Sequence, residues 1–221
     1  MGFFFEGLPP YLLTWGAEVL PSPNVAIETG TFRGDTTEVL ARTFDSCVTI
    51  ERSQAFAKAA REKFSNNSRV TILEGSSRDQ LANAIPSEDI SCFFWLDAHG
   101  VYDFQEPNAE ENPLLSEIEV ILGARKVANT IIAIDDARGM GTQPGWPSLS
   151  EITDPLTKAG FTTIYLDDVF LAVPEKLKPD LWNLYQKSRM VEVSAVFHIW
   201  PRVIRAARIQ ATLNKLVSWR P

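Results

Sequence analysis

Cysteine is scarce: Cys47 and Cys92 are the only two in 221 residues, and each sits in an apolar, strand-like run. With no C-x-x-C pair, the chain gives no basis for a disulfide framework, a thiolate zinc centre or a dithiol redox motif, and both thiols are expected in the core of a reduced protein. Long apolar runs are missing as well. No stretch approaches the roughly 20 residues of a membrane span, and the run Met1-Gly2-Phe3-Phe4-Phe5 is cut at Glu6 without a basic flank, unlike a secretory signal. The cytoplasm is therefore the expected location. Bases are outnumbered, with 21 Lys and Arg against 28 Asp and Glu. That balance disfavours a dedicated nucleic-acid binder, which meets phosphates with clustered positive charge. There is no internal repeat and no low-complexity tract.

What is present is ordinary globular material: 45% hydrophobic and 22% charged residues, in a chain long enough to bury one substantial core. Short β-branched runs alternate with amphipathic segments. Strands are expected at Val25–Glu28, Val48–Ile50, Val70–Leu73, Phe93–Leu96 and Thr130–Ile134. Helices are expected at Thr36–Thr43 (capped by Asp35 or Thr36), Ser53–Phe64, around Asp79–Ala84, at Pro113–Ala124 (capped by Asn112) and at Ser148–Ala159, closed by Gly160. Strands separated by helices imply parallel βαβ units in an α/β domain. The last two runs, Phe161–Tyr165 and Val169–Val173, are joined only by Leu166-Asp167-Asp168. A gap that short cannot hold a parallel crossover, so they must form an antiparallel hairpin.

The first strand runs into Glu28-Thr29-Gly30-Thr31-Phe32-Arg33-Gly34 and then a helix. Glycines there permit a sharp turn and close approach to a ligand at a helix N-terminus. The spacing fails the dinucleotide fingerprint G-x-G-x-x-G, and no Walker lysine loop is present. An acid at the strand end followed by this glycine spacing resembles motif I of class I S-adenosylmethionine-dependent methyltransferases, whose sheet also ends in an antiparallel hairpin. Glu51 falls at the end of strand two, where that class places a carboxylate accepting from both ribose hydroxyls. Gly75-Ser76-Ser77-Arg78-Asp79 is similar to the G-A-S-Q-D loop of catechol O-methyltransferases, with Ser77 and Arg78 at the two adenine-facing places. Arg78 keeps donors but lacks the acceptor of Gln. Gly30 and Gly34 serving only a turn, and Ser77 serving only as a helix cap, are the plainer alternatives.

Strand four ends Leu96-Asp97-Ala98-His99 and strand five ends Ile134-Asp135-Asp136-Ala137-Arg138. Ligands sit beyond the carboxyl ends of parallel strands, so three carboxylates converge there. They repel unless a cation lies among them, and Mg²⁺ or another divalent ion with oxygen ligands resolves the repulsion. The plainer alternative is that these Asp residues serve turns. The motifs E-T-G-T-F-R-G-D-T-T, T-I-E-R-S, W-L-D-A-H, N-P-L-L-S-E-I, I-D-D-A-R and W-P-S-L-S-E-I, in this order, together resemble bacterial metal-dependent O-methyltransferases of the catechol and macrocin types, over about residues 7 to 174.

The shift to a polar, Lys-rich composition after Pro174 and the helical spacing of Val203, Ile204, Leu213, Leu216 and Val217 predict a helical extension over 175–221. The resemblance implies a Rossmann-like, doubly wound, mostly parallel seven-stranded sheet of order 3-2-1-4-5-7-6 in a domain of residues 1–174, with a helical lead-in over 1–24. It implies S-adenosylmethionine contacts from Glu28, Thr29, Gly30, Thr31, Gly34, Glu51, Arg52, Ser76, Ser77, Arg78 and Asp97, and metal ligands Asp97, Asp135 and Asp136. Methyl transfer to a hydroxyl of a small molecule or glycan is the implied reaction, with Asp97 catalytic; His99, two residues past Asp97, is within reach as the catalytic base by its own chemistry, or else serves as a structural donor or metal neighbour. The catechol enzymes carry their basic Lys one place later, where this chain has Gly100, and Val101–Glu106 replaces a glycine-rich stretch, so the acceptor pocket is expected to differ. Arg138 either holds an anionic acceptor group or pairs with Asp135, and His198 is read as a packing or surface residue. The basic segment after Pro201, with Arg202, Arg205, Arg208, Lys215 and Arg220 and no acid, packs on its own domain, on a second subunit, or on an anionic surface. Two rival functions stay open: a module that binds S-adenosylmethionine or its product without transfer, and an NAD-dependent oxidoreductase. The net charge of −7 lies wholly between Asp97 and Asp136, where nine acids face Arg125 and Lys126; the rest balances, 19 acids against 19 bases.

Overall fold

The computed structural model describes residues 8–99 and 112–189. Seven strands form one sheet: β1 (Asn24–Thr29), β2 (Ser46–Glu51), β3 (Val70–Glu74), β4 (Ser91–Leu96), β5 (Thr130–Ile134), β6 (Phe161–Leu166) and β7 (Val169–Pro174). Their order is β3-β2-β1-β4-β5-β7-β6. The first five run parallel, and β7 pairs antiparallel with both β5 and β6. This is the Rossmann-like methyltransferase fold expected from the motifs. Register aligns the strand ends that matter: Thr29 pairs with Ile50 and with Leu96, Leu96 with Ile134, and Glu51 with Glu74. The loops that follow β1 to β5 therefore open on one edge.

Strand alternation divides the core in two. Phe94, Leu96, Ile132 and Ile134 face Leu81, Leu114, Ile118, Ile121, Ile152 and Leu156. Those residues come from α4 (Ser77–Ala84), α5 (Leu114–Ala124) and α6 (Leu149–Ala159). Phe93, Trp95, Ile131 and Ala133 face the other way, onto Leu12 and Trp15 of α1 (Pro10–Val19) and Leu40 of α2 (Asp35–Thr43). Leu181 and Leu184, from a helix through 178–189, complete that layer. The helix α3 (Gln54–Lys63) covers β2 and β3. A strand buried on both faces reads as a continuous apolar run, which is why β4 and β5 stood out in the sequence.

Helix ends differ from expectation in two places. The cap of α2 is Gly34, left-handed at φ 71°, rather than Asp35 or Thr36; Asp35 instead meets the Lys63 ammonium at 2.9 Å. On α5 Pro113 takes the cap position, and Asn112 supplies the side-chain oxygen that accepts from the Leu114 N–H at 3.0 Å. Ser148 and Glu151 form a reciprocal capping box on α6, and Gly160 closes it at φ 102°. Among the described residues no helix is long and apolar enough to cross a membrane. The 102–111 stretch expected to shape the acceptor pocket, His198 and the basic segment after Pro201 lie outside the described residues.

Candidate functional site

At the end of β1 the chain turns at Gly30, with φ 88°, and its N–H donates to the Ile50 carbonyl at 2.9 Å. A Cβ at Gly30 would lie 2.5 Å from the backbone oxygen of Asp97. Glycine is thus required twice, for its conformation and for the approach of β4. Thr29 reinforces that approach, since the Asp97 N–H donates to both its carbonyl and its hydroxyl oxygen, at 3.0 and 3.2 Å.

Two carboxylates brace this loop. Glu28 is buried and accepts hydrogen bonds from the hydroxyls of Thr37 on α2 and Thr49 on β2, the latter at 2.6 Å; Thr31 joins through its own hydroxyl contact with Thr49. Burial pushes the Glu28 carboxyl up to about 7, against the pull of those two hydrogen bonds. Glu51 accepts from the Phe32 N–H at 2.8 Å and the Ser53 N–H at 2.7 Å, one on each oxygen. It ties the glycine loop to the start of α3. Arg52 is exposed beside it. Across the sheet edge, the Gly75 N–H donates to the Glu51 carbonyl, Ser76 caps α4, Ser77 is buried on its first turn, and Arg78 donates to the Asn112 carbonyl at 3.2 Å. All the residues expected to hold the cofactor therefore line the ends of β1 to β4, but Glu28 spends its side chain inside the fold, bracing the loop.

The ends of β4 and β5 are built differently. One ligand atom each of Asp97, His99 and Asp136 lies within 4.8 Å of the others, and a second group joins Asp135, Asp136 and Asp168. The three expected aspartates stay neighbours: Asp136 belongs to both groups, Asp135 is the stronger like charge on Asp97, and one Asp135 oxygen also accepts from the Asp136 N–H at 2.8 Å. Asp136 holds a left-handed conformation, φ 50°. Arg138 pairs with Asp136 at 2.6 Å and with Asp168, and its charge also pulls the Asp135 carboxyl down. Among the described residues no basic side chain pairs with Asp97. Burial, then the like charges of Asp135 and Asp136, push its carboxyl up to about 9, and burial raises Asp135 to about 6. His99 is 4% exposed, bonds the Asp135 carbonyl through Nε2 at 3.0 Å, and sets its ring against Trp146 with centroids 4.6 Å apart. Its Nδ1 is buried without a partner.

Three residues escaped the sequence reading. Asp168 is carried to the end of β5 by the hairpin, a placement implicit in the antiparallel pairing. Trp146 buttresses His99 and also closes on Gly139, where a Cβ would meet its ring at 2.8 Å. Glu117, within the N-P-L-L-S-E-I motif, is fully buried on α5, and neither oxygen makes a well-formed hydrogen bond. Burial raises it to about 7, although the Ser77 and Thr29 hydroxyls and Arg78 lie near enough to pull it down. Glu117 lies on the inward face of α5 with Leu114, Ile118 and Ile121, but an acid there interrupts the apolar pattern and reads as a polar-face residue in the sequence.

Neither a family model nor a curated protein matches the sequence. Solved structures do share its fold. It is similar to a candidate caffeoyl-CoA O-methyltransferase from Staphylococcus aureus, at 16% identity and TM-score 0.53 over 76% of this chain and 84% of that one. A candidate methyltransferase from Streptococcus mutans in complex with S-adenosylhomocysteine matches at 14% identity and TM-score 0.52, covering 73% and 94%. A candidate rRNA methylase from Clostridium thermocellum matches at 11% and 0.53, covering 72% and 92%. At these identities the likeness is one of fold, and acceptors as different as those names imply sit on it.

Proposed function

We propose that the chain transfers a methyl group from S-adenosylmethionine to a hydroxyl of a small molecule or glycan, with help from a divalent metal. The observation that carries this reading is the close approach of Gly30 to the Asp97 backbone, which sets the glycine loop directly beside a carboxylate with no basic partner among the described residues. The fold neighbours, one of them described in complex with the demethylated cofactor, support it.

In this reading Glu28 holds the loop, and Glu51 accepts the ribose hydroxyls on lone pairs its two backbone hydrogen bonds leave over. Thr29, Gly30, Thr31 and Gly34 shape the floor for the methionine portion beside Asp97, while Arg52, Ser76, Ser77 and Arg78 flank the adenine. Chemistry needs the acceptor oxygen in line with the sulfonium methyl. The C–S bond breaks as the C–O bond forms, leaving a neutral thioether, and most of the rate comes from that alignment. A divalent ion, when bound, lowers the pKa of the acceptor hydroxyl. Its holders are Asp97 and Asp136, with Asp135 behind them; a burial-raised carboxyl such as Asp97 is a poor isolated anion and gains most from a cation. The groups placed to take the acceptor's proton are Asp97 and the Nδ1 of His99.

Calorimetry with S-adenosylhomocysteine, paired with transfer of labelled methyl to an acceptor panel, tests the proposal. Binding with EDTA-sensitive transfer is the expected result. Binding without transfer to any acceptor points to a non-catalytic module, and NADH binding without S-adenosylhomocysteine binding to an oxidoreductase. Turnover that survives both EDTA and Asp136→Ala removes the metal from the mechanism.

A further inference from the structure

The nitrogen of His99 changes which metal the site can prefer. His99 is 4% exposed, so Nδ1 meets no bulk water, and it has no hydrogen-bond partner. A buried, unpaired polar atom costs about 1–3 kcal/mol, and the fold fixes this one instead of relieving it. The Nε2 contact with the Asp135 carbonyl at 3.0 Å requires the proton on Nε2, because a carbonyl can only accept. The lone pair is therefore on Nδ1. The edge contact with Trp146 holds the ring in that orientation. An imidazole whose far nitrogen donates to a carbonyl is the arrangement by which proteins orient a metal-ligating histidine.

The other donors belong to the same place. Asp97 and Asp136 each bring a carboxylate oxygen within 4.8 Å of a His99 ring nitrogen and of each other. Donors about 2.1 Å from one ion stand roughly 3–4.2 Å apart, so a contraction of the order of an ångström closes the set. Asp135 has one oxygen on the Asp136 N–H, and Arg138 pairs with both Asp136 and Asp168, so an ion at this place takes the position of Arg138 on Asp136. The set nearest His99 is two carboxylates and one neutral imidazole.

We infer that this edge binds a first-row transition ion, from Mn²⁺ to Zn²⁺, through Asp97, Asp136 and Nδ1 of His99, in preference to Mg²⁺. Imidazole is a ligand for borderline ions, whereas Mg²⁺ favours oxygen donors and retained water. The inference rests on the proposed divalent site but on no particular acceptor. A lone pair given to a metal cannot also take the acceptor's proton, so the assignment removes His99 from the role of base.

The test is metal binding by the full-length, EDTA-stripped chain without acceptor. Mn²⁺ is followed by its electron paramagnetic resonance, Co²⁺ by its visible absorption and Mg²⁺ by competition. The expected result is Mn²⁺ and Co²⁺ binding at least about tenfold tighter than Mg²⁺, with His99→Ala and His99→Gln each lowering Mn²⁺ and Co²⁺ affinity by at least about tenfold and leaving Mg²⁺ nearly unchanged. Asp97→Asn is expected to weaken all three ions. Equal affinity of the wild-type chain for Mn²⁺ and Mg²⁺, or the absence of any ion binding, overturns the inference without needing a folded variant. Unchanged Co²⁺ affinity in a folded His99 variant also overturns it. S-adenosylhomocysteine titrated in parallel separates this outcome from failure of the cofactor reading: cofactor binding without metal preference sinks only the metal assignment.

Discussion

The two halves of the sheet edge treat their buried acids in opposite ways. At the ends of β1 and β2, Glu28 and Glu51 are provided for: hydroxyls of Thr37 and Thr49 donate to one, and the N–H groups of Phe32 and Ser53 to the other. At the end of β4, Asp97 has carboxylates for neighbours and His99 has a nitrogen without a partner. The first half is satisfied within the protein, whereas the second leaves Asp97 without a basic partner and the His99 Nδ1 without a hydrogen bond among the described residues.

Breaking the bare half gives the largest expected effect on activity and little on folding. Asp97→Asn mimics the protonated carboxyl that burial already favours, so at pH 8 its urea midpoint should match or exceed that of the wild type. Methyl transfer, where measurable, should fall about 10²–10³-fold, the scale of losing one electrostatic group at the reacting centre. Breaking the provided half reverses the order. Glu28→Ala strips two buried hydroxyls of their acceptor and leaves a cavity, which should cost about 3 kcal/mol in chemical denaturation. Cofactor affinity should fall with it, because Gly30 and Thr31 lose their brace. Asp97→Asn and Glu28→Ala with equal effects on folding would erase the contrast between the halves.

Glu117 sharpens the comparison, since it lies on the cofactor side yet is bare. Its folded pKa of about 7 exceeds the ordinary carboxyl value of 4.5. Between those two values this group holds a proton in the folded chain that the unfolded chain has released, so its share of the stability falls as pH rises from about 4.5 to about 7, alongside the shares of Glu28 and Asp97, raised to about 7 and about 9. Glu117→Gln removes its share alone and should stabilise the chain at pH 8 by up to about 3 kcal/mol. A wild-type stability flat across that window, or a destabilised Gln variant at pH 8, would show that Glu117 has partners after all.

The sequence carried the sheet almost whole. β4 and β5 are apolar on both faces, β6 and β7 are separated by too few residues for a crossover, and the strands end in residues that a parallel sheet must gather. Positions one step from these rules were less legible. The left-handed turn at Gly34 places Asp35 inside α2, where its carboxylate meets Lys63, 28 residues away. One Asp135 oxygen goes to the next residue's own N–H, a local bond that spacing does not reveal. Asp168 joined the edge only through the hairpin, and Glu117 lay in a motif without a pattern to mark it. Which strand ends meet follows from topology; which lone pairs remain free depends on local geometry.

If the satisfied half seats S-adenosylmethionine beside Asp97, the chain takes up its product as well. Isothermal titration of the full-length chain with S-adenosylhomocysteine tests this, alongside Gly30→Val, whose Cβ would strike the Asp97 carbonyl, and Glu51→Ala. The expected result is one site per chain in the wild type, with affinity reduced at least about tenfold in Glu51→Ala, the scale of losing a charged hydrogen-bond acceptor, and lost in Gly30→Val. A wild-type chain that takes up no S-adenosylhomocysteine, or binding untouched by both substitutions, would contradict it.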